Sequence, residues 1–129
     1  MKIGIVVSDY NKEITHAMLD VVEKYAKEKK LELGSVIHVA GVFDIPLAVQ
    51  KILDDVDGVV TLGAVIQGGT SHDELVAHTT AKTLQEISLR FGKPIGLGIS
   101  GPRMSKKQAE ERIECTAKQA VDAVVSLNK

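Results

Sequence analysis

The chain has 129 residues, 44% of them apolar, enough for one domain with a packed core. Its 16 basic and 17 acidic side chains are mixed along the sequence and nearly cancel, to a formal net charge of -1, so no long-range field favours nucleic acid or an anionic membrane. No apolar run approaches the roughly 20 residues of a membrane span, the single thiol, Cys115, cannot close an internal disulfide, and no signal peptide precedes the first strand. A cytoplasmic location with small ligands or protein partners is the expectation.

Short apolar runs alternate with longer amphipathic ones. Ile3 to Val7 reads as a buried strand, and Ile14, Met18, Val21, Val22 and Tyr25 give the next segment a helical stripe. Ser35 to Ala40 reads as a second strand, followed by a helix that Asp44 caps, that carries Pro46 in its first turn and that runs through about Leu53. Gly58 to Gly63 is the third strand and His72 to about Phe91 the third helix; Pro94 to Ile99 is the fourth strand, and Ser105 with Gln108 forms a capping box for a last helix ending near Leu127. Four strand-helix units predict an α/β fold: a flavodoxin-like three-layer sandwich with a four-stranded parallel sheet in the order 2-1-3-4 and helices on both faces.

In such a sheet ligands bind at the carboxyl ends of the strands, near the point where strand order reverses. The loops meeting there are Ser8-Asp9-Tyr10-Asn11, Gly41-Val42-Phe43-Asp44 and Ala64 to Ser71. Gly68 and Gly69 are expected to adopt turn geometries closed to other residues and to leave their amides open to an anion. Thr70 or Ser71 can serve as the helix N-cap, with Asp73 or Glu74 completing a capping box, so that free N–H groups face the loop and suit a phosphate. His72 stands beside that position, and an imidazole is the side chain best suited to take and return protons near neutral pH. Tyr10 can stack on a flat heterocycle; Asp44 can bond hydroxyl groups or simply cap its helix. Each feature also has a plain structural reading: an ordinary strand-to-helix turn, a surface histidine, a core phenylalanine at Phe43, a solvated charge at Arg112.

Other motifs fail on context. Gly96-Leu-Gly-Ile-Ser-Gly101 fits the dinucleotide fingerprint, but it lies within and just after a strand and is followed by Pro102 where a helix should begin. His72 and His78 are spaced onto different helix faces, which disfavours a shared metal. Strand three lacks the acceptor aspartate of a receiver domain, and Cys115 sits mid-helix with no evident activating partner.

Four blocks together carry a resemblance. Lys2-Ile-Gly-Ile-Val-Val with Tyr10-Asn11, Gly41-Val-Phe-Asp-Ile-Pro46, Leu62-Gly-Ala-Val-Ile-Gln-Gly-Gly-Thr-Ser-His72, and Gly98-Ile-Ser-Gly-Pro with Gln108-Ala-Glu-Glu-Arg112 occur in this order. Over its whole length the chain resembles the 6,7-dimethyl-8-ribityllumazine synthases, in particular their short archaeal forms, as a single domain of residues 1–129.

The resemblance implies a transferase of riboflavin biosynthesis. It condenses 5-amino-6-(D-ribitylamino)uracil with 3,4-dihydroxy-2-butanone 4-phosphate, releasing phosphate and water, with no cofactor and no metal. Tyr10 would stack on the uracil, and Val42, Phe43 and Asp44 would hold the ribityl chain and ring. Ala64, Val65 and Ile66 would line the pocket by backbone, Gly69 and Thr70 would bind phosphate, and His72 would transfer protons. Leu97 and Arg112 would reach in from a neighbouring subunit of a homo-oligomer, most simply a pentamer, with Arg112 gripping the phosphate. Riboflavin synthase is a further candidate partner. The chain departs from the family pattern at Gln67, where many members have arginine, at Leu97, where many have phenylalanine, and at Asp44, where many have glutamate; Lys118 aligns poorly with a lysine of some members and is left out of the site. An archaeal-type riboflavin synthase paralogue, a non-catalytic flavin-binding or shell-forming module and a generic mononucleotide binder are the alternatives on the same scaffold.

Overall fold

The computed structural model describes residues 1–128. Its elements run β1 (Lys2–Ser8), α1 (Lys12–Glu28), β2 (Glu32–Val39), α2 (Ile45–Ile52), β3 (Gly58–Ala64), α3 (His72–Phe91), β4 (Ile95–Ser100), α4 (Lys106–Glu111) and α5 (Ile113–Leu127). All strands pair in parallel, in the order β2-β1-β3-β4. The fold class read from the sequence is the one observed.

The two most uninterrupted apolar runs occupy the centre of the sheet. β3 is buried along its whole length and β1 from Ile3 to Ser8, as strands covered on both faces must be. Alternate side chains serve opposite layers. Ile3, Ile5 and Val7 join Val60 and Leu62 in a core closed by Ile14, Met18 and Val22 of α1 and Val121 and Val124 of α5. Val6 and Val59 belong to the other core, with Ile45 and Val49 of α2 and Leu84 and Ile87 of α3.

Three boundaries differ from the sequence reading. β2 begins at Glu32 rather than Ser35, because Lys2 pairs with Glu32 and the Glu32 N–H donates to the Met1 carbonyl at 3.0 Å. An edge strand only half buried leaves too weak an apolar signal to mark that start. The last helix is two helices. Arg112, at φ -102 and ψ 5, breaks it so that α4 can seat the fully buried Ala109 while α5 packs along α1 and β4. Asp44 does not cap α2 through its side chain; its carboxylate accepts the Gly41 N–H at 3.0 Å and closes a 3₁₀ turn over Val42–Asp44. The capping box of Ser105 and Gln108 forms as read, with bonds of 3.1 and 2.8 Å.

The glycines of β4 have a packing role. A Cβ on Gly96 would collide with the Ala120 carbonyl of α5, and one on Gly98 with the Thr61 carbonyl. The fingerprint-like spacing thus reflects how closely α5 lies on Gly96 and how closely β3 passes Gly98. Gly96→Ala is expected to destabilise the fold by about 1–3 kcal/mol, the usual cost of overpacking, whereas Gly68→Ala, with nothing within 4 Å of its Cβ, should change stability by less than about 0.5 kcal/mol. Urea unfolding midpoints of the two variants provide the comparison.

Candidate active site

Strand order reverses between β1 and β3, so the loops leaving their carboxyl ends diverge onto opposite faces and leave a crevice. A cleft of about 700 Å³ occupies it. From the β1 loop it is lined by Tyr10 and Asn11, and from the β2 loop by Gly41, Val42 and Phe43. From β3 and the segment after it come Ala64, Val65, Ile66, Gln67, Gly68 and Thr70, and from the start of α3 come His72, Asp73 and Val76.

Two aromatic side chains are left in solvent at this cleft. Tyr10 is 71% and Phe43 64% exposed, in a chain with four aromatics in all. Phe43 is therefore not a core residue. Two flat apolar faces at a cleft mouth suit a planar heterocycle.

The loops are held by their own backbone. Asn11 adopts φ 60, a left-handed conformation that asparagine tolerates better than most residues, and its Nδ2 donates to the Ala64 carbonyl at 2.9 Å. Beyond β3 the chain stays tied to the β4 side: Val65 N–H donates to the Ser100 carbonyl and Gln67 N–H to the Met104 carbonyl, both at 2.8 Å. Gly68 and Gly69 do not adopt positive φ, contrary to the turn geometry expected of them. Their contribution is the missing side chain, which leaves open space beside their amides.

The start of α3 is built differently from the sequence reading. Ser71 occupies the N-cap position without a side-chain bond, and Thr70 Oγ1 accepts the His72 N–H only at 3.4 Å, the weak end of the range. No capping box forms, because Asp73 and Glu74 are engaged elsewhere. The buried Asp73 carboxylate accepts the Arg103 N–H at 3.0 Å, and Glu74 pairs with the Arg103 side chain, which raises the guanidinium pKa above its ordinary value. Arg103 thus clamps the first turn of α3 to the loop after β4. Sequence reasoning missed this residue, since its partners lie 29 and 30 positions away.

Of the residues proposed from the sequence, Tyr10, Val42, Phe43, Ala64, Val65, Ile66, Thr70 and His72 line one cleft. Gly69 lies between two residues that line it. Asp44 stands behind the cleft, its carboxylate turned to the Gly41 N–H. Leu97 and Arg112 lie outside the cleft of the single chain: Leu97 is 49% exposed on the edge strand β4, and Arg112 is exposed at the break between α4 and α5. Gly68, read from the sequence as part of the anion-binding turn, lines it as well, and Asn11, Gly41, Gln67, Asp73 and Val76 also line the cleft without having been singled out as site residues. Asn11 and Gln67 stood in recognised blocks; Asp73 was read only as a cap.

A family model described as 6,7-dimethyl-8-ribityllumazine synthase matches residues 1–129. The 6,7-dimethyl-8-ribityllumazine synthase of Staphylothermus marinus is 49% identical over 128 residues, covering 98% of this chain and 85% of the relative. The enzymes of the same name from Methanocaldococcus jannaschii and Methanothermobacter thermautotrophicus are 45% and 44% identical; the first match covers all of this chain, the second 98%, and each covers 92% of the relative. Among solved structures, the flavodoxin, WrbA-like protein from Agrobacterium tumefaciens is similar over 95% of this chain and 96% of that one, with TM-score 0.35 and 17% identity. With a full-length family match and relatives at this identity, the chain belongs to the 6,7-dimethyl-8-ribityllumazine synthase family.

Proposed function

We propose that this chain condenses 5-amino-6-(D-ribitylamino)uracil with 3,4-dihydroxy-2-butanone 4-phosphate, and does so in the cleft between β1 and β3. The observation that carries the reading is the convergence there of two exposed aromatics, a side-chain-free glycine loop and a histidine at a helix start. Tyr10 and Phe43 offer faces to the pyrimidine. The amides of Gly68 to Thr70, with the positive end of α3 behind them, suit the phosphate. The amine attacks the ketone, the resulting imine loses phosphate, and the ribitylamino nitrogen closes the ring. Each step moves a proton, and His72, exposed beside the glycine loop, is the group that takes and returns it. Asp44 acts through the Gly41 turn, and backbone atoms of Ala64, Val65 and Ile66 orient the ring.

The same reading makes the protein a homo-oligomer, a pentamer in its simplest form, in which Leu97 and Arg112 of a neighbour complete each site. Phe43, Leu47, Leu75 and Leu89 support it: all four are more than 60% exposed, on or just before α2 and on α3, and offer apolar side chains for a neighbouring subunit to cover. Arg112 then supplies a charge-assisted contact to the phosphate. A cytoplasmic location belongs to this reading; no helix among the described residues is long and apolar enough to cross a membrane.

Lumazine absorbance in a mixture of both substrates tests the activity directly, and light scattering tests the assembly. A stable monomer with full activity would overturn the shared site. His72→Ala should lower the maximal rate by no more than about 10²–10⁴-fold, the range of general acid–base catalysis, because orientation of the two substrates persists. A maximal rate unchanged from pH 5 to 9 would remove His72 from proton transfer.

A second experiment separates geometry from chemistry. His72→Ala and Arg112→Ala chains, each impaired alone, are unfolded and reassembled together. If the two residues of one site come from different chains, random mixing restores an intact pair at about a quarter of the interfaces of a closed ring. Activity should return to roughly that fraction of the unmutated protein. Mixed assemblies no more active than the average of the two variants would place the site within one chain.

A further inference from the structure

Away from the cleft wall, the β1–α1 turn carries a group of side chains that the condensation does not use. Asp9 Oδ1 lies 2.8 Å from His16 Nε2 of α1 and 2.8 Å from His38 Nδ1 of β2. One carboxylate oxygen therefore faces two imidazole nitrogens. The two rings are edge to face, with centroids 5.4 Å apart, and the three potential ligand atoms all lie within 4.8 Å of one another. Among the described residues, no other His, Cys, Asp or Glu group of three meets that condition.

We propose that Asp9, His16 and His38 form a binding site for a divalent transition cation of the Zn²⁺ type. The donor set is the first argument. Two imidazoles and a carboxylate suit borderline metals such as Zn²⁺ and Co²⁺ and are a poor match for Mg²⁺ or Ca²⁺, which require oxygen ligands. The spacing is the second. Around a tetrahedral ion with bonds of about 2.05 Å, neighbouring donor atoms stand roughly 3.3 Å apart. The 2.8 Å separations and the 4.8 Å outer limit bracket that value, so small side-chain shifts suffice.

The third argument is that the backbone brings the ligands together before any ion arrives. Asp9 N–H donates to the Val39 carbonyl at 2.8 Å, and Val7 pairs with His38 in the β1–β2 register. Asn11 starts α1, its carbonyl accepting the Ile14 and Thr15 N–H groups, which fixes His16 in the second turn. Charge is also suitable. The Asp9 carboxylate supplies the negative charge that a divalent cation requires, and the two imidazoles supply neutral donors. In one tautomer both imidazole N–H groups donate to Oδ1; in the other both lone pairs point into the same small volume. The three side chains are 43–46% exposed, which leaves room for water to complete the coordination. Without a metal these are exposed side-chain hydrogen bonds, which contribute little to stability.

The test uses the untagged full-length protein, stripped with EDTA and titrated calorimetrically with ZnCl₂. One ion per chain should bind with a micromolar dissociation constant. His16→Gln and His38→Gln should each weaken binding by at least about tenfold, while His78→Gln, on the exposed side of α3, should not. Circular dichroism establishes that each variant is folded, and His38→Asn stands in if His38→Gln is not. Co²⁺ in place of Zn²⁺ should give visible absorption bands that disappear in either histidine variant, and millimolar Mg²⁺ should leave the Zn²⁺ isotherm unchanged. No binding up to about 1 mM Zn²⁺, unmutated affinity in either His16→Gln or His38→Gln, or displacement of the ion by Mg²⁺ would overturn the proposal.

Discussion

The parallel pairing of β1 with β2 on one side and β3 on the other is the constraint from which the rest of the structure follows. Right-handed crossovers that run in opposite directions along a sheet must leave on opposite faces. The chain moves one way from β1 to β2 and the other way from β2 to β3, so α1 and α2 cover different faces. The step from β3 to β4 continues in the second direction, which puts α3 beside α2. The face over β3 and β4 on the α1 side would then be bare, and α5 fills it, lying against glycines that let it come close. One reversal of direction thus fixes both cores, and it opens the crevice at the carboxyl ends of β1 and β3.

What the crevice can do depends on how firmly its walls are held. The glycine loop has no side chains to pack, and its helix lacks a side-chain cap. Rigidity is imported from β4 through two backbone hydrogen bonds to Val65 and Gln67 and through Arg103, which holds Asp73 and Glu74 together. Acidic groups in the first turn favour the helix dipole, yet they would compete for the same field with a phosphate bound there as proposed. Pairing Glu74 with a guanidinium and burying Asp73 against an N–H moderates that competition while keeping the turn in place.

Legibility in the sequence followed the range of the interactions. β1 and β3 were readable because burial on both faces leaves continuous apolar runs, and the box of Ser105 and Gln108 because both partners lie within one turn. The start of β2 at Glu32 was not, since it is set by pairing with Lys2 rather than by its own composition. The break at Arg112 carries no glycine or proline; it arises from where Ala109 must be buried. Eight of the twelve residues proposed from the sequence line a single cleft, whereas Arg103 and the group of Asp9, His16 and His38 became visible only once distant segments were brought together. The histidine pair considered from the sequence, His72 and His78, was the one close in the chain. The pair close in space joins a helix to a strand.

Three consecutive residues of the β1–α1 turn address three different partners. Asp9 bonds to the end of β2, to His38 of that strand and to His16 of α1, Tyr10 lines the cleft, and Asn11 reaches across to the Ala64 carbonyl at the end of β3. The turn therefore spans the crevice, pinned on both banks, with the exposed ring of Tyr10 between the pins. A side chain 71% exposed gains little orientation from its own packing, so the backbone on either side must supply it. The Asn11 bond provides that restraint on the β3 side. On the β2 side it comes from one backbone bond and from whatever occupies the space between Asp9, His16 and His38: a pair of imidazole protons, or a single ion that holds all three ligands at once. The ion is the stiffer of the two restraints, because metal–ligand bonds are shorter and more directional than exposed hydrogen bonds. Because Asp9 directly precedes Tyr10, an ion held in that space would restrain the same stretch of backbone that carries the exposed ring.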